Sequence, residues 1–473
     1  MIKEPAKKSY WFGRSYKDLF ETIRGSFESN VDMIKDLSER IKDCITNFHV
    51  MSILRILLYS LIIVFLSLFG FLFTAVLSAI PIVIIAIIMA FVYLGFMFLW
   101  FCDAVYRKIH QISYNCPSCQ QKFKMPAYVC PNCHKRHYRL IPSKYGIFYR
   151  TCECGQKLPT TFLNGRQKLD AVCPHCDESL IKGITRAYLI PVIGGANCGK
   201  TCFVNSAIQK LEEDSSSYGL TFQYKPKQDG SVDEYSENKE RMSQGYVPEK
   251  TSDMRMKYYN FILNRKGDAI DNQISVCDIA GESFESEENT QSQQGFRYCD
   301  GIIIIVDPFS IEEFNNKAKE EMKEEEYQSV NRSTQSIEET FNVTNNAIEH
   351  ILHKSDGLKK LVAAIVFVKT DIPYVDEKVG EKAIEERRKN DPSLSYLEAS
   401  NLVASDFFKE YGLNSTLLEI QGKFSKVQFF SVSALGKEQK VGSAFVSINA
   451  DKPLYWILNE FTNIHVPNAL EAK

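Results

Sequence analysis

A glycine-rich segment of eight residues carries the clearest chemistry in this sequence. Gly194-Gly195-Ala196-Asn197-Cys198-Gly199-Lys200-Thr201 follows the pattern G-x-x-x-x-G-K-S/T, which is typical of loops that bind phosphate groups. Glycines let successive backbone N–H groups point at phosphate oxygens, and a helix that begins at Lys200 adds a favourable dipole. We expect Lys200 to contact the β- and γ-phosphates and the Thr201 hydroxyl to coordinate Mg²⁺. Cys202 completes the predicted nucleotide-binding segment.

Three further segments follow in the order that a guanine-nucleotide site requires. Asp278 and Gly281 form a D-x-x-G pattern, in which the aspartate would hold Mg²⁺ through water and the glycine N–H would sense the γ-phosphate. Lys369-Thr370-Asp371 comes after an apolar strand, and the Asp371 carboxylate can accept both N–H groups of a guanine edge. Adenine does not offer that pair. Ser433-Ala434 follows the last predicted strand and is expected to reach guanine O6 through a backbone N–H.

Eight of the 14 cysteines lie in four close pairs, a spacing that indicates structural zinc. Four thiolates satisfy one tetrahedral Zn²⁺, so the eight predict two sites. We pair the first four with one another and the last four with one another, and an interleaved pairing is the alternative. Three nearby histidines, His134, His137 and His175, are expected to be exposed polar side chains rather than ligands. The eight cysteines are Cys116, Cys119, Cys130, Cys133, Cys152, Cys154, Cys173 and Cys176.

An apolar segment near the N-terminus predicts integral attachment to a membrane. Residues 56–102 contain no Asp, Glu, Lys or Arg, and a single span needs about 20 apolar residues. We therefore predict a transmembrane hairpin over residues 51–104, with spans at 52–77 and 82–102 and a turn before Pro81. Basic residues flank both ends, which places both termini in the cytoplasm, where thiols are reduced and metal binding is favoured over disulfides.

The rest of the chain divides around these features. Residues 1–50 contain an amphipathic helix, whose apolar stripe would pack on the protein itself, on a membrane surface or on a second copy. Residues 113–182 are predicted to form the zinc-ribbon module. In residues 187–473, predicted strands alternate with predicted helices. This order predicts an α/β P-loop domain with a mainly parallel sheet covered on both faces. The charge-rich segments 212–250 and 310–335 are predicted to be loops. Predicted strands are 187–193, 258–263, 273–277, 301–306, 361–368 and 427–432, and predicted helices are 200–213, 333–353, 395–411 and 453–464.

At the phosphate loop, Asp278, Lys369 to Asp371 and Ser433, the chain resembles the TRAFAC class of GTPases. With the apolar segment and the cysteine pairs in front, its architecture is similar to the double-GTPase families of bacterial conflict and defence systems. The resemblance implies a switch that cycles between GTP and GDP with Mg²⁺ at the bacterial inner membrane, and that reports to a protein effector or to a second copy. A net charge of −2 gives no reason to expect nucleic acid as a partner.

Two positions depart from the family pattern, and they leave other functions open. Val368 stands where the family has Asn or Thr, so one hydrogen bond near the base is lost. Glu282 stands where a water-orienting Gln is common, and a carboxylate there predicts slow hydrolysis. Thr251 is the predicted switch threonine, with Thr221 as its rival. The alternatives are an ATPase and a membrane-held zinc scaffold that binds nucleotide without significant hydrolysis.

Overall fold

The computed structural model divides the chain into two compact units. One comprises residues 1–111 and 127–172, and the other comprises residues 112–126 and 173–473. The structure describes residues 4–12, 14–119, 121–225, 234–248, 257–279, 299–333, 335–342, 361–436, 443–462 and 464–471.

The second unit is built on a seven-stranded sheet. Strand β8, which leads into the phosphate loop, lies between β12 and β11 and is parallel to both, and the full order across the sheet is β14-β13-β12-β8-β11-β10-β9. β10 is antiparallel to both of its neighbours. The sheet strands are β8 Thr185–Ile193, β9 Leu220–Tyr224, β10 Lys257–Arg265, β11 Asp271–Asp278, β12 Gly301–Val306, β13 Val362–Phe367 and β14 Lys426–Ser431.

Helices cover both faces of this sheet, and each face has its own apolar core. Within β8, Leu189 and Ile193 belong to one core, whereas Ile190 and Val192 belong to the other. Strands buried on both faces read as continuous apolar runs, which is why β8, β12 and β13 were recognisable in the sequence. The helices are α4 Lys200–Asp214, α5 Glu234–Ser243, α6 Glu312–Glu321, α7 Glu324–Ser329, α8 Pro373–Val379, α9 Glu381–Asn390, α10 Tyr396–Glu410, α11 Asn414–Lys423, α12 Lys452–Phe461 and α13 Pro467–Glu471.

The two segments predicted to be loops contain regular structure. β9 and α5 lie within residues 212–250, and α6 and α7 lie within residues 310–335. These elements depend on a few buried side chains, such as Tyr235 in α5 and Phe314 in α6, and on pairing of β9 with β10. Within the predicted helix 333–353, residues 337–342 are helical and residues 333, 335 and 336 are not, while residues 334 and 343–353 lie outside the described residues.

The first unit contains two long helical stretches. Helix α1, Arg14–Thr46, is followed by α2, Val50–Phe65, a π-helical turn at Leu66–Gly70, and α3, Phe71–Ile109. α1 packs along the second stretch, with Phe27 stacked on Phe71 and Asn30 Nδ2 donating to Thr74 Oγ1 at 2.7 Å. The amphipathic helix thus packs on the protein's own apolar helix, although Phe20 on α1 stays exposed.

The predicted turn before Pro81 is absent from this unit. Residues Val50–Ile109 form one helical stretch of 60 residues with Pro81 in its interior, so the predicted hairpin is wrong. Proline removes one backbone hydrogen bond, and the aliphatic residues on both sides continue the helix. Among the described residues this is the stretch long and apolar enough to cross a membrane, and 6% of its most apolar window is buried.

Short strands make up the cysteine-rich part of the chain. β3 pairs with β4 and β7, β5 pairs with β6, and β1 pairs with β2, all antiparallel. Their bounds are β1 Tyr114–Asn115, β2 Lys122–Phe123, β3 Ala127–Val129, β4 Arg136–His137, β5 Tyr149–Thr151, β6 Lys157–Pro159 and β7 Ala171–Val172.

Candidate functional site

The phosphate loop connects β8 to α4 at the carboxyl edge of the sheet, where ligands of open α/β sheets bind. Asn197 and Gly199 have positive φ angles of 61° and 96°, so the loop turns sharply before the helix. The Lys200 ammonium is buried and donates to the carbonyl oxygens of Gly194 and Gly195, both at 2.8 Å. A Cβ at Gly194 would lie 2.8 Å from Cys198 Sγ, which explains the requirement for glycine there.

Asp278 ends β11 beside the start of α4. Its Oδ2 accepts a hydrogen bond of 2.6 Å from Thr201 Oγ1, while its Oδ1 is buried and has no partner among the described residues. Burial raises the pKa of this carboxyl, and the nearby Lys200 opposes that effect. A hydroxyl and a carboxylate with a free oxygen are hard oxygen ligands, so these residues fit Mg²⁺.

A second pair of segments meets beside α4. Ser433 Oγ donates to Asp371 Oδ1 at 2.6 Å and accepts from the Gly436 N–H at 2.9 Å. Ser206, on α4, donates to the carbonyl of Ala434 at 2.7 Å. The segments predicted to bind the base are therefore tied to one another and to the helix that follows the phosphate loop.

Asp307 lies beside the site although no sequence motif includes it. It follows β12, is buried, and accepts from Lys369 Nζ at 2.5 Å and from the Ser333 N–H at 2.8 Å. Lys369, which has a positive φ of 61°, also donates to the carbonyl of Asn331. An aspartate directly after an apolar strand was the available signal, but its partners come from distant parts of the chain.

The remaining predicted residues lie in different places. Thr251, Gly281 and Glu282 lie outside the described residues. Val368 is buried in the core, and Cys198 is buried as well, where burial raises the pKa of its thiol. Thr221, the rival switch threonine, lies in β9 and donates to the carbonyl of Asn264.

The comparison with known families agrees with this geometry. Residues 188–419 match the family described as Double-GTPase 2. This segment of the chain is a double-GTPase domain. No match was found among curated proteins. The family implies a guanine nucleotide as ligand of the double-GTPase domain, and the matched range includes the phosphate loop, Asp278 and Asp371.

The cysteines form two groups of four, but not the predicted ones. Cys116 and Cys119 meet Cys173 and Cys176, and these four enclose the inner four in the sequence, Cys130, Cys133, Cys152 and Cys154. Pairing the first four together was therefore wrong. The fold brings the first and last cysteine pairs of the segment together, and the two pairs between them form the second group. Spacing along the chain does not reveal this arrangement.

In each group the four sulfur atoms all lie within 4.8 Å of one another. In the outer group the Sγ–Sγ distance is 3.4 Å for Cys116 and Cys176 and 3.6 Å for Cys119 and Cys173. In the inner group it is 3.5 Å for Cys133 and Cys152 and 3.7 Å for Cys130 and Cys154. Four sulfurs at about 2.3 Å from one Zn²⁺ lie about 3.8 Å apart, so both groups could hold zinc. Among the three histidines, His134 and His175 are exposed as predicted, whereas His137 is buried in β4, where burial lowers its pKa to about 4.

The two groups belong to different units. The outer group lies in the unit of the double-GTPase domain, where Asn115 Nδ2 donates to Ser275 Oγ on β11 at 3.1 Å. The inner group lies in the unit of the apolar helix, where Arg166 forms a buried ion pair of 3.0 Å with Asp103 near the end of α3. A metal in either group would therefore stabilise a different part of the molecule.

Proposed function

We propose that this chain is a membrane-anchored, zinc-containing GTP-binding switch that hydrolyses GTP slowly with Mg²⁺. One observation supports the nucleotide part above all others. Lys200 and the Thr201–Asp278 pair stand at one end of α4, and Asp371 and Ser433 are tied to the same helix through Ser206. Phosphate-binding residues and base-binding segments held by the first two turns of one helix suit a nucleoside triphosphate.

The residues divide the work between binding and catalysis. Backbone amides of residues 194–199 and the Lys200 ammonium would neutralise the phosphates, and Asp371 would select guanine through two hydrogen bonds. Thr201 and Asp278 would hold Mg²⁺, which when bound neutralises charge on the β- and γ-phosphate oxygens. Glu282 stands where a water-orienting residue is common, so we propose that hydrolysis is slow until a partner or a second copy supplies compensating charge.

Hydrolysis on wild type and on Lys200→Ala tests the enzyme part of this proposal. We expect slow release of phosphate from GTP by the wild type, at least tenfold slower release by Lys200→Ala, and no competition by equimolar ATP. Equal and negligible rates for both proteins would instead favour a zinc scaffold that binds nucleotide without turnover. Effective competition by ATP would remove the role given to Asp371.

Membrane anchoring is proposed from the exposed apolar helix. Sixty residues in a helix span about 90 Å, against about 30 Å for the hydrocarbon core of a bilayer, so one part of the helix would suffice. We expect wild type to stay in the membrane pellet after alkaline extraction, and the double variant Leu72→Lys, Ile84→Lys to be released. Leu418→Lys, at an equally exposed position of α11, is the matched control. Release of the wild type would refute the anchor.

A role in bacterial defence is proposed from the family resemblance alone, with a protein effector or a second copy as the partner. Phage challenge of cells that carry the wild-type or the Lys200→Ala gene tests it. We expect protection from the wild type and none from the variant, and equal plaque numbers in both strains would argue against a defence role.

A further inference from the structure

The long helix, Val50–Ile109, exceeds the thickness of a bilayer several times. Its stretch without charged side chains, residues 56–102, measures about 70 Å at 1.5 Å per residue, whereas the hydrocarbon core measures about 30 Å. The helix continues through Pro81, in the interior of this stretch. An upright orientation would therefore leave more than half of the apolar stretch outside the hydrocarbon core, where contact with water is unfavourable.

Helix α1 runs antiparallel along this apolar stretch. Phe12, just before α1, contacts Tyr93 with ring centroids 5.4 Å apart. Further along α1, Phe27 stacks on Phe71 with centroids 6.2 Å apart. The less exposed positions of the long helix recur every three or four residues through residues 56–99, which is the period of one helix face. α1 therefore covers one stripe of the long helix along most of its apolar length.

The charged side chains of α1 lie beside the middle of the apolar stretch. Four of them form two ion pairs and are each more than half exposed: Arg24–Glu28 at 2.7 Å and Asp32–Lys35 at 3.3 Å. Asn30, between these pairs, donates to Thr74 Oγ1, near the centre of residues 56–102. If the two helices crossed a bilayer together, these charges would stand in the hydrocarbon core, where each is costly.

The side of the long helix away from α1 is apolar and exposed. The consecutive residues Ile82, Val83 and Ile84 are 46%, 55% and 52% exposed, and three consecutive positions span about 200° of a helix. A helix of a second copy would cover a narrower stripe, because helix–helix contacts use residues three and four positions apart. Lipid acyl chains can cover the whole arc, so the exposed side fits a bilayer.

We propose that α1 and the long helix lie flat, as a pair, in one leaflet of the membrane. The apolar side of the long helix would face the acyl chains, and the charged side of α1 would face the headgroups and water, as in amphipathic helices at membrane interfaces. This inference rests on the membrane anchor of the proposed function and specifies its orientation. Residues 56–102 stay at one depth and do not cross the bilayer.

Tryptophan fluorescence in vesicles measures the depth of the long helix. In the full-length, zinc-loaded protein, Trp11 and Trp100 are replaced by Phe, and the buried Trp456 is kept as a constant background. The vesicles contain phosphatidylethanolamine, phosphatidylglycerol and a phosphatidylcholine whose acyl chains are brominated either near the headgroup or near the chain end. The ratio of quenching by these two brominated lipids reports the depth of an introduced tryptophan.

Four exposed positions on one face of the long helix receive the tryptophan, one in each variant. They are eleven residues apart, which is about three turns, and together they extend over about 50 Å. The variants are Leu61→Trp, Leu72→Trp, Val83→Trp and Leu94→Trp. We expect the same quenching ratio in all four, with stronger quenching by the lipid brominated near the headgroup.

Lys17→Trp, on the exposed face of α1, is the control. Iodide in the water should quench this tryptophan and should not reach the four in the long helix. An upright helix would instead give one deep position and at least one position that iodide reaches, because 50 Å exceeds the hydrocarbon core, and this result would overturn the proposal. Protein that does not float with the vesicles would refute the anchor itself, whereas flotation with unequal depths would refute the flat orientation alone.

Discussion

The Asp278 carboxylate has one oxygen bonded to Thr201 and one buried oxygen without a described partner. A buried acceptor of this kind is costly unless a ligand completes it, and an oxygen beside the phosphate loop is suited to a divalent cation. The residues named by the short motifs, Lys200, Thr201 and Asp371, are predictable from sequence because each motif lies within a few positions of the chain. Asp307 was not predictable in this way, because its partners Ser333 and Lys369 come from other segments of the chain.

Asp307→Asn tests the importance of that carboxylate. The substitution leaves the Lys369 ammonium beside a neutral amide, and loss of a hydrogen bond to a charged group costs about 1.5–3 kcal/mol. We expect the free energy of unfolding to fall by that amount and GTP affinity to fall about tenfold. Asp406→Asn, which breaks an exposed ion pair with Arg387, is the control and should cost less than about 1 kcal/mol. Equal effects in chemical unfolding would contradict the assignment.

At the scale of elements, α12 packs closely on the sheet. A Cβ at Gly301, the first residue of β12, would lie 2.9 Å from Ile457 and 3.1 Å from Phe461 on that helix. Strands β8, β12 and β13 and helices α4, α10 and α12 were predictable because their apolar patterns are strong within a single window. β9 and α5 were not predictable from their own sequence. β9 is held by its pairing with β10, and α5 is held by single buried residues such as Tyr235.

Two glycine substitutions test this packing in opposite directions. Gly301→Ala should destabilise the protein by about 1–3 kcal/mol, because the added methyl group overpacks the contact with α12. Gly422→Ala should stabilise it by about 0.5–1 kcal/mol, since that glycine lies in α11 with open space where the Cβ would stand. Midpoints of thermal unfolding give the comparison, and a stabilising Gly301→Ala would show that α12 is less closely packed.

At the scale of the whole molecule, the two cysteine groups divide between the two units. Sequence spacing predicted two groups of four cysteines and the eight residues that compose them, but their pairing depends on the fold of residues 113–182. The course of the apolar segment likewise could not be predicted from the sequence. Its composition predicted a membrane segment, whereas its course through Pro81 does not follow from composition, because a proline between two aliphatic blocks is compatible both with a turn and with a continuous helix.

Removal of one cysteine from each group separates their roles. Zinc content should fall from about two ions per chain to about one in Cys116→Ser and in Cys130→Ser, because three thiolates hold Zn²⁺ far less tightly than four. Only Cys116→Ser should lower the thermal midpoint of the nucleotide-loaded double-GTPase domain. Cys44→Ser, in α1 and outside both groups, is the control. A nucleotide-loaded domain that is equally stable in both variants would argue against a structural role for the outer group.

Recognition of guanine by Asp371 is the central claim, and calorimetry with Asp371→Asn tests it most directly. An amide in place of the carboxylate can no longer accept both guanine N–H groups, but it can donate to the extra carbonyl of xanthine. Loss of two charge-assisted hydrogen bonds corresponds to about a hundredfold or greater loss of affinity. We predict that wild type binds GTP with Mg²⁺ and that Asp371→Asn binds xanthosine triphosphate instead. Unchanged GTP affinity in Asp371→Asn, or no guanine-nucleotide binding by the wild type, would contradict the claim.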